Sequence, residues 1–452
     1  MARWVIDGAA IATVDAADTE HSPGYLVVDG NIITAVGAGP APEVPGAQII
    51  DARGCLATPG LVNTHHHLYQ WITRGHAQDG ALFEWLATLY PLWSHLDVDL
   101  EYVAASAALA ALALSGCTTT TDHHYVFPRG GGDVLGAEIA AAQRIGLRFH
   151  PTRGSMDLGA SAGGLPPDNV VEDIDAILAA GQDAVSAHHD PSFGSMCRIA
   201  LAPCSPFSVS GELMRESAAL ARELGVRLHT HIAETTDEEQ FCLERFGARP
   251  VDYVESLGWL GDDVWFAHGV HLSASDIAKL AQTGTGVAHC PSSNARLGAG
   301  TAPIPELLAA GVPVGLGVDG VASNEHGGLG GELRQALLMA RNRLGPTAIT
   351  ARQVLQAGTI GGARCLGRDR ELGSLEVGKL ADIALWRVDG LGHADIDDPV
   401  CALVFGPPAP LRLLLVNGVP VVADDELRTA DTATLAGDAR DAARTMRARA
   451  GA

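Results

Sequence analysis

Lysine is almost missing from this chain: Lys279 and Lys379 are the only two in 452 residues, and every other basic side chain is an arginine. Basic charge as a whole is scarce, 30 Lys and Arg against 53 Asp and Glu, for a formal charge of −23. That balance excludes nucleic acid as a partner, because its phosphates demand a basic footprint. It does not exclude a free base or a similar small heterocycle. No membrane partner is expected either. The most apolar helix-like stretch, Ala104 to Leu114, falls well short of the ~20 residues a bilayer span requires, and it reads as a buried helix. Met1 to Ala10 holds no basic segment leading into a long apolar run, so no secretory signal is expected. The eight cysteines are scattered without a CxxC pair, which predicts reduced thiols and a cytoplasmic protein.

What is present is a 47 % hydrophobic chain with two textures. The first sixty residues read as short strands and turns, with Asp29-Gly30 a hairpin signal between apolar runs. Leu375 to Val422 reads the same way and contains the turn Asn417-Gly418. The middle alternates strand and helix. Its candidate strands are Leu61 to His65, Thr118 to Asp122, Leu147 to Thr152, Arg198 to Ala202, Arg227 to Ile232, Val264 to Ala267, Gly286 to His289 and Pro313 to Val318. Eight strands, each followed by a helix, is the count of a (β/α)8 barrel, whose active site sits at the C-terminal strand ends. The fold class is therefore α/β: a (β/α)8 TIM-like barrel over 59–366, with a small β-sandwich domain built from both termini (1–58 and 367–437). A charged tail, 438–452, is expected as a surface helix. The long loop Gly154 to Asn169 is either a lid or a disordered insertion.

The polar residues track the expected strand ends. His65 and His67 close the first, Asp122-His123-His124 the second, Arg153 the third, Cys204 the fourth and His231 the fifth; His268, His289 and Asp319 close the remaining three. In extended chain, residues two apart share a side, so His65 and His67 aim two imidazoles at one point while His66 faces away. A second HxH, His229-Thr230-His231, lies on the fifth strand. His231 is nearer the strand end and is read as the ligand, with His229 a core or supporting residue. Three imidazoles and the Asp319 carboxylate make a four-ligand set for a divalent metal, zinc or alternatively iron. Glu234, three residues past His231, is placed to shuttle protons. His268 is placed to polarise the attacked atom or stabilise charge, and Asp319 to take a proton while coordinating. Because no lysine precedes Lys279, a lysine bridging two ions on the fourth strand is excluded, leaving a mononuclear site with one metal ion per chain unless Cys204 bridges. No GxSxG elbow supports a serine nucleophile.

These separated motifs resemble the amidohydrolase superfamily, in its mononuclear aminohydrolase branch. They are Pro59-Gly60-Leu61-Val62-Asn63-Thr64-His65-His66-His67, His231-Ile232-Ala233-Glu234-Thr235, Ala267-His268-Gly269, His289-Cys290-Pro291-Ser292-Ser293-Asn294 and Gly317-Val318-Asp319-Gly320, with the return Gly373 to Ile383. The resemblance implies the same ligands (His65, His67, His231, Asp319) and the same catalytic partners (Glu234, His268). Stretches such as Asp122-His123-His124-Tyr125 and Ala202-Pro203-Cys204-Ser205-Pro206 resemble members that deaminate 8-oxoguanine. Isoxanthopterin, guanine- or isocytosine-like bases and hydroxytriazines are the alternative substrates, and a non-catalytic barrel scaffold the alternative role. A planar, carbonyl-rich ring would be met by Gln70, Trp85, Arg153 and Cys204. The resemblance also implies a homo-oligomer.

Overall fold

In the computed structural model, which describes residues 2–451, eight parallel strands close into a barrel. They are Leu61–Asn63, Cys117–His124, Arg148–Ser155, Ala200–Pro203, Arg227–Ile232, Val264–His268, Gly286–His289 and Val314–Leu316. The last pairs back onto the first through Leu316 and Asn63. Every residue of these strands is buried except the half-buried Arg227, as expected of strands covered by helices on one side and packed side chains on the other. Among the described residues no helix is long and apolar enough to cross a membrane.

The two termini meet in one nine-stranded sheet. Its seam is the antiparallel pair Cys55–Pro59 and Ile383–Arg387, and its core holds Trp4, Ile6, Leu26, Val28, Ile383 and Leu413. Both turns expected from sequence are there. Gly30 takes a positive φ where Asp29 pairs with Ile32, and Asn417-Gly418 takes φ of 51° and 75° between Val416 and Val419. The chain passes from sheet to barrel at Gly60, where a Cβ would stand 2.2 Å from the Thr118 side chain. Only glycine fits there.

Two details differ from expectation. The C-terminal helix starts at Thr432, capped by Asp431, rather than after Gly437. It is a surface helix as expected, its buried stripe of Leu435, Ala439, Ala442 and Met446 facing the helix Val98–Leu114. The first and eighth barrel strands also stop early, at Asn63 and Leu316. The cause is local: Asn63 accepts Val318 N through its side chain at 2.9 Å, and Asp319 N reaches His65 O at 3.0 Å. Beyond these contacts a short parallel bridge pairs Asp319 with His66 and Gly320 with His67. That bridge sets the carboxylate beside the two histidines.

Candidate active site

Three imidazoles converge, each held by its Nδ1. A carbonyl can only accept, so Cys204 O at 2.6 Å fixes the proton on His231 Nδ1, and His123 O at 2.7 Å fixes the proton on His67 Nδ1. For His65 the anchor is indirect. Trp265 O accepts from His229 Nδ1 at 2.8 Å, which leaves His229 Nε2 bare to accept from His65 Nδ1 at 2.8 Å. Burial depresses the pKa of all four rings, to about 3 for His229 and about 4 for His67, so they stay neutral. Their Nε2 lone pairs therefore point inward unprotonated.

Those lone pairs face one another and a carboxylate. His67 Nε2 lies 3.2 Å from His231 Nε2, and Asp319 Oδ1 lies 3.3 Å from both His65 Nε2 and His67 Nε2. His65 Nε2 is fully buried with no hydrogen-bond partner. Four electron-rich atoms converging in a buried pocket repel one another, and a bound cation relieves that repulsion. Three neutral nitrogens and one oxygen fit a divalent transition metal. Asp319 completes the set as its one carboxyl group, with Oδ1 toward the two histidines. Its Oδ2 accepts from Ser293 Oγ at 2.6 Å, and Gly320 N donates to Oδ1 at 2.7 Å.

Glu234 and His268 stand alongside. His268 Nε2 is 3.6 Å from Glu234 Oε2 and 4.0 Å from Asp319 Oδ2, while its Nδ1 meets Asn294 Oδ1 at 3.0 Å. Burial pushes the Glu234 carboxyl up to about 7, with Asp319 adding to the rise against His268. Its loop is clamped by Glu238, whose carboxylate accepts from Ala233 N and Glu234 N at 2.9 and 2.8 Å. Ala233, His268 and Asp319 all adopt positive φ, at 53°, 71° and 64°. Such a conformation costs a non-glycine residue of order 1–3 kcal/mol, and here it falls on three strand ends of one site.

A small cavity of about 30 Å³ opens onto these groups. Gln70, Trp85, Tyr90, Tyr125, Cys204 and Phe207 form its walls, with Ser323 beside Asp319. Gln70 Nε2 is buried and unpartnered, its Oε1 turned to Ala322 N at 3.4 Å. Gly320 lies so close that a Cβ there would sit 1.9 Å from Gln70 Oε1. The Cys204 thiol is pushed up to about 12 by burial and so is a neutral wall group.

Residues 56–421 match the amidohydrolase family. The chain belongs to that family. Among its relatives, it is 47 % identical to the 8-oxoguanine deaminase of Pseudomonas aeruginosa over 395 residues, covering 87 % of this chain and 88 % of that one. It is 40 % identical to the hydroxydechloroatrazine ethylaminohydrolase of Pseudomonas sp. strain ADP, over 86 % of this chain and 82 % of the other. A solved structure, atrazine chlorohydrolase TrzN from Arthrobacter aurescens TC1 complexed with zinc, is similar at 34 % identity and a TM-score of 0.91, covering 97 % of this chain and 100 % of that one. The chain is thus a hydrolytic enzyme of an α/β-barrel family, and a single divalent metal in this site is consistent with both the family and that zinc complex.

The structure brings His65, His67, His231, Asp319, Glu234, His268, Gln70, Trp85 and Cys204 around one space. Arg153 stands apart from that lining. Its Nη2 pairs with both Glu172 oxygens at 2.8 Å, its Nη1 donates to Gly154 O, and it stacks 3.6 Å over the Phe127 ring. Sequence reasoning gave no role to His123, whose carbonyl orients His67, or to Ser293, which holds Asp319. The position of Ser293 just past the seventh strand end was the available signal. Tyr125 was quoted only within a motif, although it follows His124 directly and lines the cavity.

Proposed function

We propose that this protein is a hydrolytic deaminase of 8-oxoguanine, taking up water and releasing ammonia and urate. The observation that carries the reading is the set of tautomer-fixed Nε2 atoms facing Asp319, with an acid–base carboxyl of matched pKa beside it. The ligands proposed are His65, His67, His231 and Asp319, holding zinc. What such a cation supplies when bound is Lewis acidity, which brings the deprotonation of water to about neutral pH from 15.7. The protein does the rest. Glu234, with its pKa near 7, accepts a proton from water as it attacks the ring carbon and returns one to the departing exocyclic nitrogen. His268, 3.6 Å from Glu234, stabilises charge developing at that carbon, with Asn294 fixing its ring. Asp319 serves as a second proton acceptor, steadied by Ser293.

The substrate ring is proposed to lie against Trp85, with Gln70 Nε2 donating to a ring carbonyl and Cys204 closing the wall. Arg153 is assigned a bracing part through Glu172 rather than ring contact. The 47 % identity to an 8-oxoguanine deaminase supports the choice of substrate. An isoxanthopterin deaminase from an unknown prokaryotic organism, 39 % identical over 419 residues, favours a pterin as the second reading. A cytoplasmic location and a homo-oligomer belong to the same proposal, the first resting on eight unpaired cysteines. The test is a side-by-side assay of 8-oxoguanine, isoxanthopterin, guanine, isocytosine and a hydroxytriazine, with ammonia and ring product both identified. The highest kcat/KM is expected on 8-oxoguanine with urate as product; a preference for any other ring overturns the substrate assignment.

A further inference from the structure

A second group of metal-binding side chains lies outside the catalytic centre. We propose that Glu101, His124 and Glu138 hold a structural divalent cation, sealed between the helices Val98–Leu114 and Val134–Ile145 and the barrel strand Cys117–His124. All three residues are fully buried, and one ligand atom from each lies within 4.8 Å of the other two. The His124 tautomer is set in the same way as at the catalytic centre. Its Nε2 donates to Val126 O at 2.8 Å, which leaves Nδ1 facing Glu138 Oε1, in direct contact, and Glu101 Oε2 at 3.9 Å.

The oxygens around it have no partner outside the cluster. Both of Glu101, both of Glu138 and Asp122 Oδ2 are buried with no donor from the rest of the protein, and Glu138 meets Glu101 and Asp122 carboxyl to carboxyl. The ion-pair contacts of Glu101 and Glu138 go to His124 and to no lysine or arginine. Two carboxylates cancel one divalent charge. One nitrogen with carboxylate oxygens suits zinc, manganese or ferrous iron better than calcium. With ligand bonds of about 2.0–2.2 Å, the ion requires Glu138 to withdraw from contact toward the spacing Glu101 already has. Asp122 ties the cluster to the catalytic side: its Oδ1 accepts Leu68 N at 2.6 Å, next to His67, and the Tyr69 ring touches both His67 and His124. The cation would brace that segment.

The test is metal content per chain, by mass spectrometry of holoenzyme grown with zinc and manganese, joined to anomalous scattering from crystals of the unmodified protein. Two equivalents are expected in the unmodified chain. His231→Ala is expected to lose one and keep the other, and the Glu101→Gln/Glu138→Gln pair to keep the catalytic equivalent and lose the second. An anomalous peak beside His124 Nδ1 decides the matter even where the double variant does not fold. Metal content unchanged by the double substitution, with no anomalous peak at the cluster, overturns the proposal and leaves shared protons as the sole occupants.

Discussion

His229 offers a sharp test of how the catalytic centre is organised, because it touches one proposed ligand and no substrate. His229→Phe keeps a flat ring against Trp265, now 4.4 Å away at 16°, but removes the acceptor of the His65 Nδ1 proton. His65 is then free to carry its proton on Nε2, or to rotate, and either change withdraws a lone pair from the cation. Loss of such an orienting partner typically weakens metal affinity about 10–100-fold, or roughly 1.4–2.8 kcal/mol. The assay is competition against a chelating dye of known affinity, with circular dichroism confirming the fold. Turnover is expected to recover at excess metal with KM unchanged, since His229 is absent from the cavity wall. His229→Gln, whose carbonyl oxygen can accept the same proton, is expected to restore part of the affinity. A folded Phe variant that binds metal as tightly as the unmodified protein would refute the relay.

Glu234→Gln is expected to lower kcat by about 10²–10⁴, the range of general acid–base catalysis, with metal content retained; unimpaired turnover removes Glu234 from the mechanism. The pH profile follows from the same carboxyl. Ionised Glu234 is the base and its pKa stands near 7, so kcat/KM should fall as pH drops through about 7, and a flat profile there contradicts the assignment. Glu238 tests the linkage sign: its pKa is raised by burial from 4.5 to about 7, so the folded chain binds that proton more tightly than the unfolded one. Its contribution to stability is full below 4.5 and is lost as pH rises through about 7. Urea midpoints of the metal-stripped protein should lose that pH dependence in Glu238→Gln, and an unchanged slope would count against it. Gln70→Ala is expected to raise KM by up to about tenfold, the worth of a hydrogen bond of 0.5–1.5 kcal/mol; no change would place the ring elsewhere.

The strand-end residues were legible because a parallel barrel turns one position in each βα unit toward a common mouth, and periodicity alone marks that position. His65, His67, His231 and Asp319 needed no more than this. Of His229 and His231, the structure puts His231, the one nearer the strand end, in the cavity wall. What sequence does not carry is which backbone carbonyl meets which imidazole. The anchors Cys204 O, His123 O and Trp265 O come from neighbouring strands whose register is fixed by the whole barrel. Arg153 shows the opposite failure. Its place at a strand end suggested a ligand contact, but Glu172, beyond a long loop, captures its guanidinium. The C-terminal helix was expected, but not its start at Thr432 or its partner: its Ala and Arg composition does not say that the alanine-lined face of Val98–Leu114 accepts it.

The most direct measurement of the central claim follows ammonia release from 8-oxoguanine by chelator-stripped protein as zinc is titrated back. Turnover should be absent at the start, rise with added metal and stay absent in His231→Ala throughout. Undiminished turnover by the stripped protein, or full turnover by His231→Ala, would contradict an activated water held at these four side chains.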